Sequence, residues 1–273
     1  MQFISIYDCN RQKGKDMPKF NANLTMLFTE VDFYDRFDRA ANAGFSGVEY
    51  LFPYEWPAAE LAEKLQQNNL EQVLHNLPGG DWAGGERGIA CLPGREGEFQ
   101  DGVGRAIEYA KALKCPILNC LAGLTPDNVP GETVKEVLIN NLRFAADALA
   151  KEAITLLVEP INCIDMPGFH LVNSKDTMSL LEEIGHNNIL LQYDIYHMQR
   201  MEGDLINTIT RLIDKIGHMQ LADNPGRHEP GTGEINFTNL FKAIDALGYK
   251  GWIGCEYIPA GDTEAGLGWL KRY

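Results

Sequence analysis

Short apolar segments alternate with longer amphipathic segments from Phe20 almost to the C-terminus, and no other feature limits the possible folds as strongly. The predicted strands cover residues 20–27, 47–52, 71–76, 116–121, 154–160, 189–194, 217–222 and 252–257. The predicted helices cover residues 32–43, 58–68, 98–113, 133–150, 174–185, 204–214 and 237–247. Short apolar strands of this kind are typical of parallel strands that are buried on both faces. Eight strands alternating with helices predict one α/β domain, a single (β/α)8 TIM barrel.

A doubly wound open sheet is the alternative fold for such an alternation. It normally carries a glycine-rich phosphate-binding turn after its first strand. Here the first strand is followed by Phe28-Thr29-Glu30-Val31, and neither GxGxxG nor GxxxxGKS occurs in the chain. The sequence therefore favours the barrel and gives no support for a nucleotide site.

Composition agrees with one large globular domain and limits the partners of the protein. A chain of 273 residues fits one such barrel, and 45% apolar residues supply a sizeable core. The net charge of −14 disfavours nucleic acid and anionic membranes, and no stretch approaches the roughly 18 apolar residues of a membrane span. We therefore expect neither partner, and a homo-oligomer is compatible with the sequence. An anionic substrate would need a local positive group.

The cysteines indicate the compartment of the protein. They form no CxxC pair and show no spacing typical of zinc sites. Several lie in apolar runs, as reduced core thiols do. This predicts a cytoplasmic protein with free thiols. The six residues are Cys9, Cys91, Cys115, Cys120, Cys163 and Cys255.

The first sixteen residues differ from the rest of the chain. Their apolar part, residues 3–7, is too short for a signal peptide, and a charged run at 11–16 follows it. Met17-Pro18-Lys19-Phe20 then resembles a second start. We predict an N-terminal appendage at residues 1–16 and a barrel domain at residues 17–273.

Four predicted strands in the C-terminal part end at or just after a side chain with a metal-binding oxygen. These side chains are Glu159, Asp194, Gln220 and Glu256, separated by 35, 26 and 36 residues. The C-terminal ends of parallel barrel strands meet at one mouth, where barrel active sites lie. We therefore expect the four oxygens to converge on one divalent ion, with Mg²⁺ or Mn²⁺ favoured by hard oxygen ligands.

The two glutamates of this set suggest acid–base chemistry. Glu159 and Glu256 on opposite sides of a substrate could exchange a proton with it, one as the base and one as the acid. A metal beside them would polarise a carbonyl and make the adjacent C–H bond more acidic. This combination suits aldose–ketose isomerisation through a cis-enediolate.

Other polar residues near the strand ends are candidates for substrate binding. His197 follows Asp194 by three residues, and Arg227 lies in the loop after the seventh strand, where a guanidinium could pair with a substrate carboxylate. His75 and Asn76 end the third strand and are predicted to line the pocket. The long loop from Leu77 to Gly97 is a candidate lid.

The sequence resembles the hydroxypyruvate isomerase family, within the TIM-barrel sugar isomerases and epimerases related to xylose isomerase. The segments that carry the resemblance are NLTMLF at 23–28, GVEYLFPY at 47–54, LPGR at 92–95, RHEP at 227–230, GEIN at 233–236 and GWIGCEY at 251–257. The resemblance runs from Met17 to the C-terminus. It implies interconversion of hydroxypyruvate and tartronate semialdehyde, with Glu159 and Glu256 as the proton donor and acceptor. It also implies that Asp194 and Gln220 complete a divalent-metal site.

Several alternatives remain open at this point. Members of the family also isomerise 2-oxo-tetronates, whereas ketose 3-epimerases usually have histidine where Gln220 stands. A metal-dependent endonuclease on the same barrel would need several clustered histidines and a basic surface, which six scattered histidines on a chain of charge −14 do not supply. A non-catalytic sugar-acid binding protein would need no opposed carboxylates.

Overall fold

Eight parallel strands form a closed barrel in the computed structural model, which describes residues 18–273. Each strand pairs with the next, and β1 closes the barrel by pairing with β8, with Ala22 opposite Cys255. The strands are β1 (Lys19–Asn23), β2 (Gly47–Glu49), β3 (Glu71–Asn76), β4 (Ile117–Cys120), β5 (Thr155–Val158), β6 (Ile189–Asp194), β7 (Ile216–Leu221) and β8 (Trp252–Cys255). The predicted (β/α)8 TIM barrel is confirmed.

Helices surround the barrel and connect its strands. They are α1 (Phe33–Asn42), α2 (Ala58–Gln67), α3 (Glu96–Leu113), α4 (Gly131–Ala150), α5 (Ser174–Ile184), α6 (Ile195–Met201), α7 (Leu205–Leu212), α8 (Phe237–Ala246) and α9 (Thr263–Gly266). Short 3-10 helices follow at Ile213–Lys215 and Leu267–Arg272. Asn173 and Asn236 accept backbone N–H groups at the starts of α5 and α8, as N-cap residues do.

The sequence predicted every strand of the barrel but missed the two shortest helices, α6 beside the site and α9 near the C-terminus. Helix α6 has seven residues and begins directly after β6, so it is too short to show a periodic apolar stripe. Asp194 ends β6 and caps α6, because its Oδ1 accepts the backbone N–H groups of Tyr196 and His197 at 2.7 and 3.2 Å. The cap turns the chain sharply and places His197 in the first turn of α6.

The described cysteines are free thiols, as predicted. Cys91, Cys115, Cys120 and Cys255 are buried, and Cys163 is exposed. Between Pro18 and Tyr273 no helix is both long and apolar enough to cross a membrane. Cys9 and the predicted appendage at residues 1–16 lie outside the described residues.

Candidate active site

The polar strand ends converge at the C-terminal mouth of the barrel and are almost completely buried. Asp194 and Gln220 are 0% exposed, Glu159 is 4% exposed and Glu256 is 5% exposed. Glu159 follows the last residue of β5, and Glu256 follows the last residue of β8. Side chains at these positions lie where barrel enzymes carry their catalytic groups.

Glu159, Asp194 and His197 form one side of the site. Each offers a ligand atom, and these atoms lie within 4.8 Å of one another. His197 Nε2 is 3.9 Å from Glu159 Oε1 and 3.8 Å from Asp194 Oδ2. The other oxygen of Glu159 accepts a hydrogen bond of 2.9 Å from Asn119 Nδ2. These three side chains could hold a metal ion, with His197 as a ligand only through a ring nitrogen that carries no hydrogen.

Glu256 lies on the other side of the site and is held by donors. Arg227 donates to its Oε1 at 2.7 Å, and Asn23 Nδ2 lies 3.3 Å from its Oε2. Gln220 Nε2 also donates to Oε2. The amide oxygen of Gln220 accepts from Gln192 at 2.7 Å, so its nitrogen, rather than the predicted metal-binding oxygen, faces Glu256.

The loop after β7 places Arg227 against this carboxylate. Asp223 is fully buried and organises the loop by accepting the backbone N–H groups of Asn224, Gly231, Gly233 and Ile235 at 2.8–3.0 Å. The Arg227 guanidinium lies over the ring of Tyr196, 5.2 Å from its centroid, and the buried Nε of Arg227 has no hydrogen-bond partner among the described residues.

A second layer of polar groups lies beneath the site and is centred on Glu49 of β2. Its buried carboxylate accepts hydrogen bonds from Asn21 at 2.7 Å, Asn23 at 3.0 Å, His218 at 2.8 Å and Gln220 at 2.7 Å. A Cβ on Gly254 would lie 2.4 Å from Glu49 Oε1, so glycine in β8 leaves the space that this carboxylate occupies. Glu49 of β2 therefore links β1 and β7 and packs against β8 beneath the carboxyl groups of the site.

Burial and mutual repulsion change the proton affinity of the site residues. Burial, followed by the charges of Glu256 and Asp194, raises the pKa of Glu159 well above its ordinary value. Burial also raises the pKa of Glu256 to about 8, although Arg227 opposes this shift. Burial lowers the pKa of His197 to about 4. For Arg227, burial works against the charged form, but the carboxylates around it outweigh burial and raise its pKa.

The structure does not bring all predicted pocket residues together. Asn76 reaches the site through Asn119, whose Nδ2 lies 3.2 Å from Asn76 Oδ1. The ring of His75 instead packs edge-on against Tyr54, 6.1 Å away, and burial lowers the pKa of this histidine to about 3. Adjacent strand residues point to opposite faces, so Asn76 faces the barrel interior and His75 faces the helix layer. The prediction that His75 lines the pocket is therefore not supported.

Three amides that contribute to the site were not identified from the sequence: Asn23, Asn119 and Asn162. Asn119 lies at the end of β4, so the strand-end pattern that singled out Glu159 could also have found it. Asn162 lies beyond β5, and its Nδ2 is 2.6 Å from His197 Nδ1. Its contact with a residue 35 positions away is a product of the tertiary fold that no local pattern shows.

The charges and an unpaired oxygen indicate that a divalent cation fits the site. Glu159, Asp194 and Glu256 place three buried carboxyl groups around the guanidinium of Arg227. Asp194 Oδ2 is fully buried, and no donor among the described residues pairs with it. Unpaired buried carboxylate oxygens are costly, and coordination of a hard cation is one way to satisfy them.

Fold and site together define a TIM-barrel enzyme with paired acidic groups in a site that is compatible with a metal ion. The xylose isomerase-like TIM barrel family matches residues 37–273. Hydroxypyruvate isomerase of Escherichia coli K12 is 57% identical over 257 residues, which cover 94% of this chain and 100% of that protein. The chain belongs to the hydroxypyruvate isomerase family of xylose isomerase-like TIM barrels, and it is an isomerase.

Two further proteins show similarity across nearly the whole chain. The 2-oxo-tetronate isomerase of Cupriavidus necator is 49% identical and covers 94% of this chain and 99% of its own length. A crystal structure described as an AP endonuclease of family 2 from Brucella melitensis superimposes with a TM-score of 0.92 at 47% identity, covering 94% of this chain and 99% of that one.

Proposed function

We propose that this isomerase interconverts hydroxypyruvate and tartronate semialdehyde. The observation that carries the proposal is the pair of buried carboxyl groups, Glu159 and Glu256, whose pKa values are both raised. Burial raises the pKa of both groups, and a carboxyl group with a raised pKa holds a proton more readily and can deliver it as a general acid. The 57% sequence identity to a hydroxypyruvate isomerase supports the choice of substrate.

In the proposed reaction the two glutamates divide the proton transfers. One removes a proton from C3 of hydroxypyruvate, which gives a cis-enediolate. The other delivers a proton to C2, while the proton of the C3 hydroxyl moves to the C2 oxygen. No atoms are gained or lost: C3 is oxidised from a primary alcohol to the aldehyde, and C2 is reduced from the ketone to the secondary alcohol. In the reverse direction the two carboxyl groups exchange roles.

Glu159 and Asp194 would hold a divalent ion, and Glu256 and Gln220 would complete the set if the Gln220 amide turned its oxygen toward the site. Such an ion, with Mg²⁺ or Mn²⁺ favoured, would polarise the substrate carbonyl and lower the pKa of the neighbouring C–H group. Asn119 orients Glu159, while Asn23 and Gln220 orient Glu256, through the hydrogen bonds already described.

Chelation provides the first test. Removal of divalent ions should abolish turnover of hydroxypyruvate followed by NMR, and added Mn²⁺ or Mg²⁺ should restore it because hard oxygen ligands favour these ions. A parallel assay with 2-oxo-tetronates measures whether a four-carbon acid is the better substrate. Full activity in protein shown by elemental analysis to be free of metal would refute the metal-dependent scheme.

Arg227 is proposed to bind the substrate carboxylate. Its guanidinium already donates to Glu256, and its buried Nε has no acceptor among residues 18–273. Arg227→Lys should raise KM for hydroxypyruvate, because lysine cannot reproduce the forked pair of donors. A neutral analogue that lacks the carboxylate should be affected much less. Equal losses for both compounds would mean that Arg227 positions Glu256 instead of the substrate.

A further inference from the structure

Asn162 is a fully buried amide that contacts His197 at Nδ1, the ring nitrogen on the side away from Glu159. It lies in the segment between β5 and α5, is 0% exposed, and its Nδ2 is 2.6 Å from His197 Nδ1. Because His197 Nε2 is directed at the site, this contact can decide which ring nitrogen carries hydrogen.

The orientation of the Asn162 amide follows from its other partners. Its Oδ1 accepts the backbone N–H groups of Ile164 at 3.1 Å and Asp165 at 2.8 Å. Its Nδ2 donates to Asp165 Oδ2 at 3.0 Å, and a carboxylate can only accept. If the amide were reversed, its oxygen would face the Asp165 carboxylate, which is also an acceptor, and its nitrogen would face two backbone N–H donors. The nitrogen of Asn162 therefore faces His197.

Asp165 is itself held as a carboxylate. It accepts the hydroxyl of Tyr196 at 2.8 Å and pairs with Arg200. Burial alone would raise the pKa of Asp165, but the hydrogen bonds from Arg200, Asn162 and Tyr196 lower it to about 2. The acceptor that fixes Asn162 is therefore present across the physiological pH range.

A donor opposite His197 Nδ1 requires that nitrogen to accept. The ring hydrogen then belongs to Nε2, since a hydrogen on Nδ1 would point at an NH₂ group. Nε2 lies 3.9 Å from Glu159 and 3.8 Å from Asp194, beyond the length of a hydrogen bond to either. A nitrogen that carries hydrogen cannot coordinate a metal ion, but it can donate to an oxygen placed between these carboxylates.

We propose that Asn162 is a positioning residue that fixes His197 in the Nε2–H form, so that His197 donates to a substrate oxygen and does not bind the metal. The identity of that oxygen, in hydroxypyruvate, rests on the proposed function. The position of the ring hydrogen does not rest on it.

NMR of the ring nitrogens tests the proposal without any turnover. In metal-free protein labelled with ¹⁵N-histidine, His197 should show a protonated Nε2 and an unprotonated Nδ1, with its signals assigned by comparison with His197→Gln. Saturation with Mg²⁺ should leave the hydrogen on Nε2. A hydrogen on Nδ1 in the wild-type protein, or loss of the Nε2 hydrogen on addition of Mg²⁺, would overturn the proposal.

Two variants separate positioning from metal binding. His197→Gln should keep Mg²⁺ affinity by calorimetry close to that of the wild type, whereas Asp194→Asn should lower it by about 10-fold or more. Equal losses of affinity would make His197 a ligand and refute the proposal.

Asn162→Asp puts an acceptor opposite Nδ1 and should move hydrogen to Nδ1, with a fall in kcat of about 10–100-fold. Asn162→Ala, which supplies neither donor nor acceptor, should leave both ring forms populated. An unchanged Nε2–H form in both variants would show that Asn162 does not fix the ring. If the wild type turned over no hydroxypyruvate, the proposed function would fail while the NMR result kept its meaning.

Discussion

Glu159→Gln and Glu256→Gln are each expected to lower kcat by about 10²–10⁴-fold, the range for loss of general acid–base catalysis. Glutamine keeps the shape of the side chain but cannot accept and return a proton. Both residues are buried beside further carboxyl groups, so the neutral amide also removes repulsion and should leave the fold intact. Steady-state turnover of hydroxypyruvate, with circular dichroism to check folding, measures the effect.

The matched control for these variants is Glu264→Gln. Glu264 is a half-exposed glutamate that pairs with Arg39 outside the site, so its replacement should leave kcat unchanged. Near-normal turnover in either Glu159→Gln or Glu256→Gln would remove that residue from the proton-transfer scheme.

Glu49→Leu is expected to reduce the free energy of unfolding by about 3–5 kcal/mol, the cost of removing one partner from a buried charged network. The change leaves the donors of Asn21, Asn23, His218 and Gln220 without their shared acceptor. Each unpaired buried donor costs about 1–3 kcal/mol, and relaxation of the side chains recovers part of the sum. Urea unfolding followed by circular dichroism measures the loss.

The half-exposed ion pair between Glu264 and Arg39 provides the control for the stability change of Glu49→Leu. Glu264→Gln removes a 2.7 Å contact with Arg39 in which both side chains are about half exposed, so it should cost at most about 1 kcal/mol. If Glu49→Leu cost no more than Glu264→Gln, the polar layer beneath the site would not stabilise the barrel.

The barrel could be predicted from the sequence because the strands are separate apolar segments that alternate with amphipathic helices, and four of them end at or near a recognisable polar residue. Glu159, Asp194, Gln220 and Glu256 were found in this way, and the structure gathers them at one mouth. His75 shows a limit of this pattern, since the choice between it and Asn76 depends on which of two adjacent residues faces inward. The hydrogen bond between Asn76 and Asn119 shows that Asn76 faces inward, and this contact is visible only in the folded structure.

Residues that act through other residues were harder to find. Asn162 lies in an irregular segment, and its importance depends on a contact with His197, 35 positions away. Gln220 was predicted to offer its amide oxygen to a metal, but its amide nitrogen donates a hydrogen bond to Glu49 instead. Such orientations depend on the sum of several neighbours, which a linear pattern does not contain.

Hydrogen exchange during turnover tests the central claim most directly. Purified protein with Mg²⁺ is incubated with hydroxypyruvate in heavy water and followed by NMR. The proposed scheme predicts tartronate semialdehyde with solvent deuterium at C2, and loss of one C3 hydrogen from the recovered hydroxypyruvate. Absence of both product and exchange, in protein shown to be folded and loaded with Mg²⁺, would contradict proton transfer by Glu159 and Glu256 on this substrate.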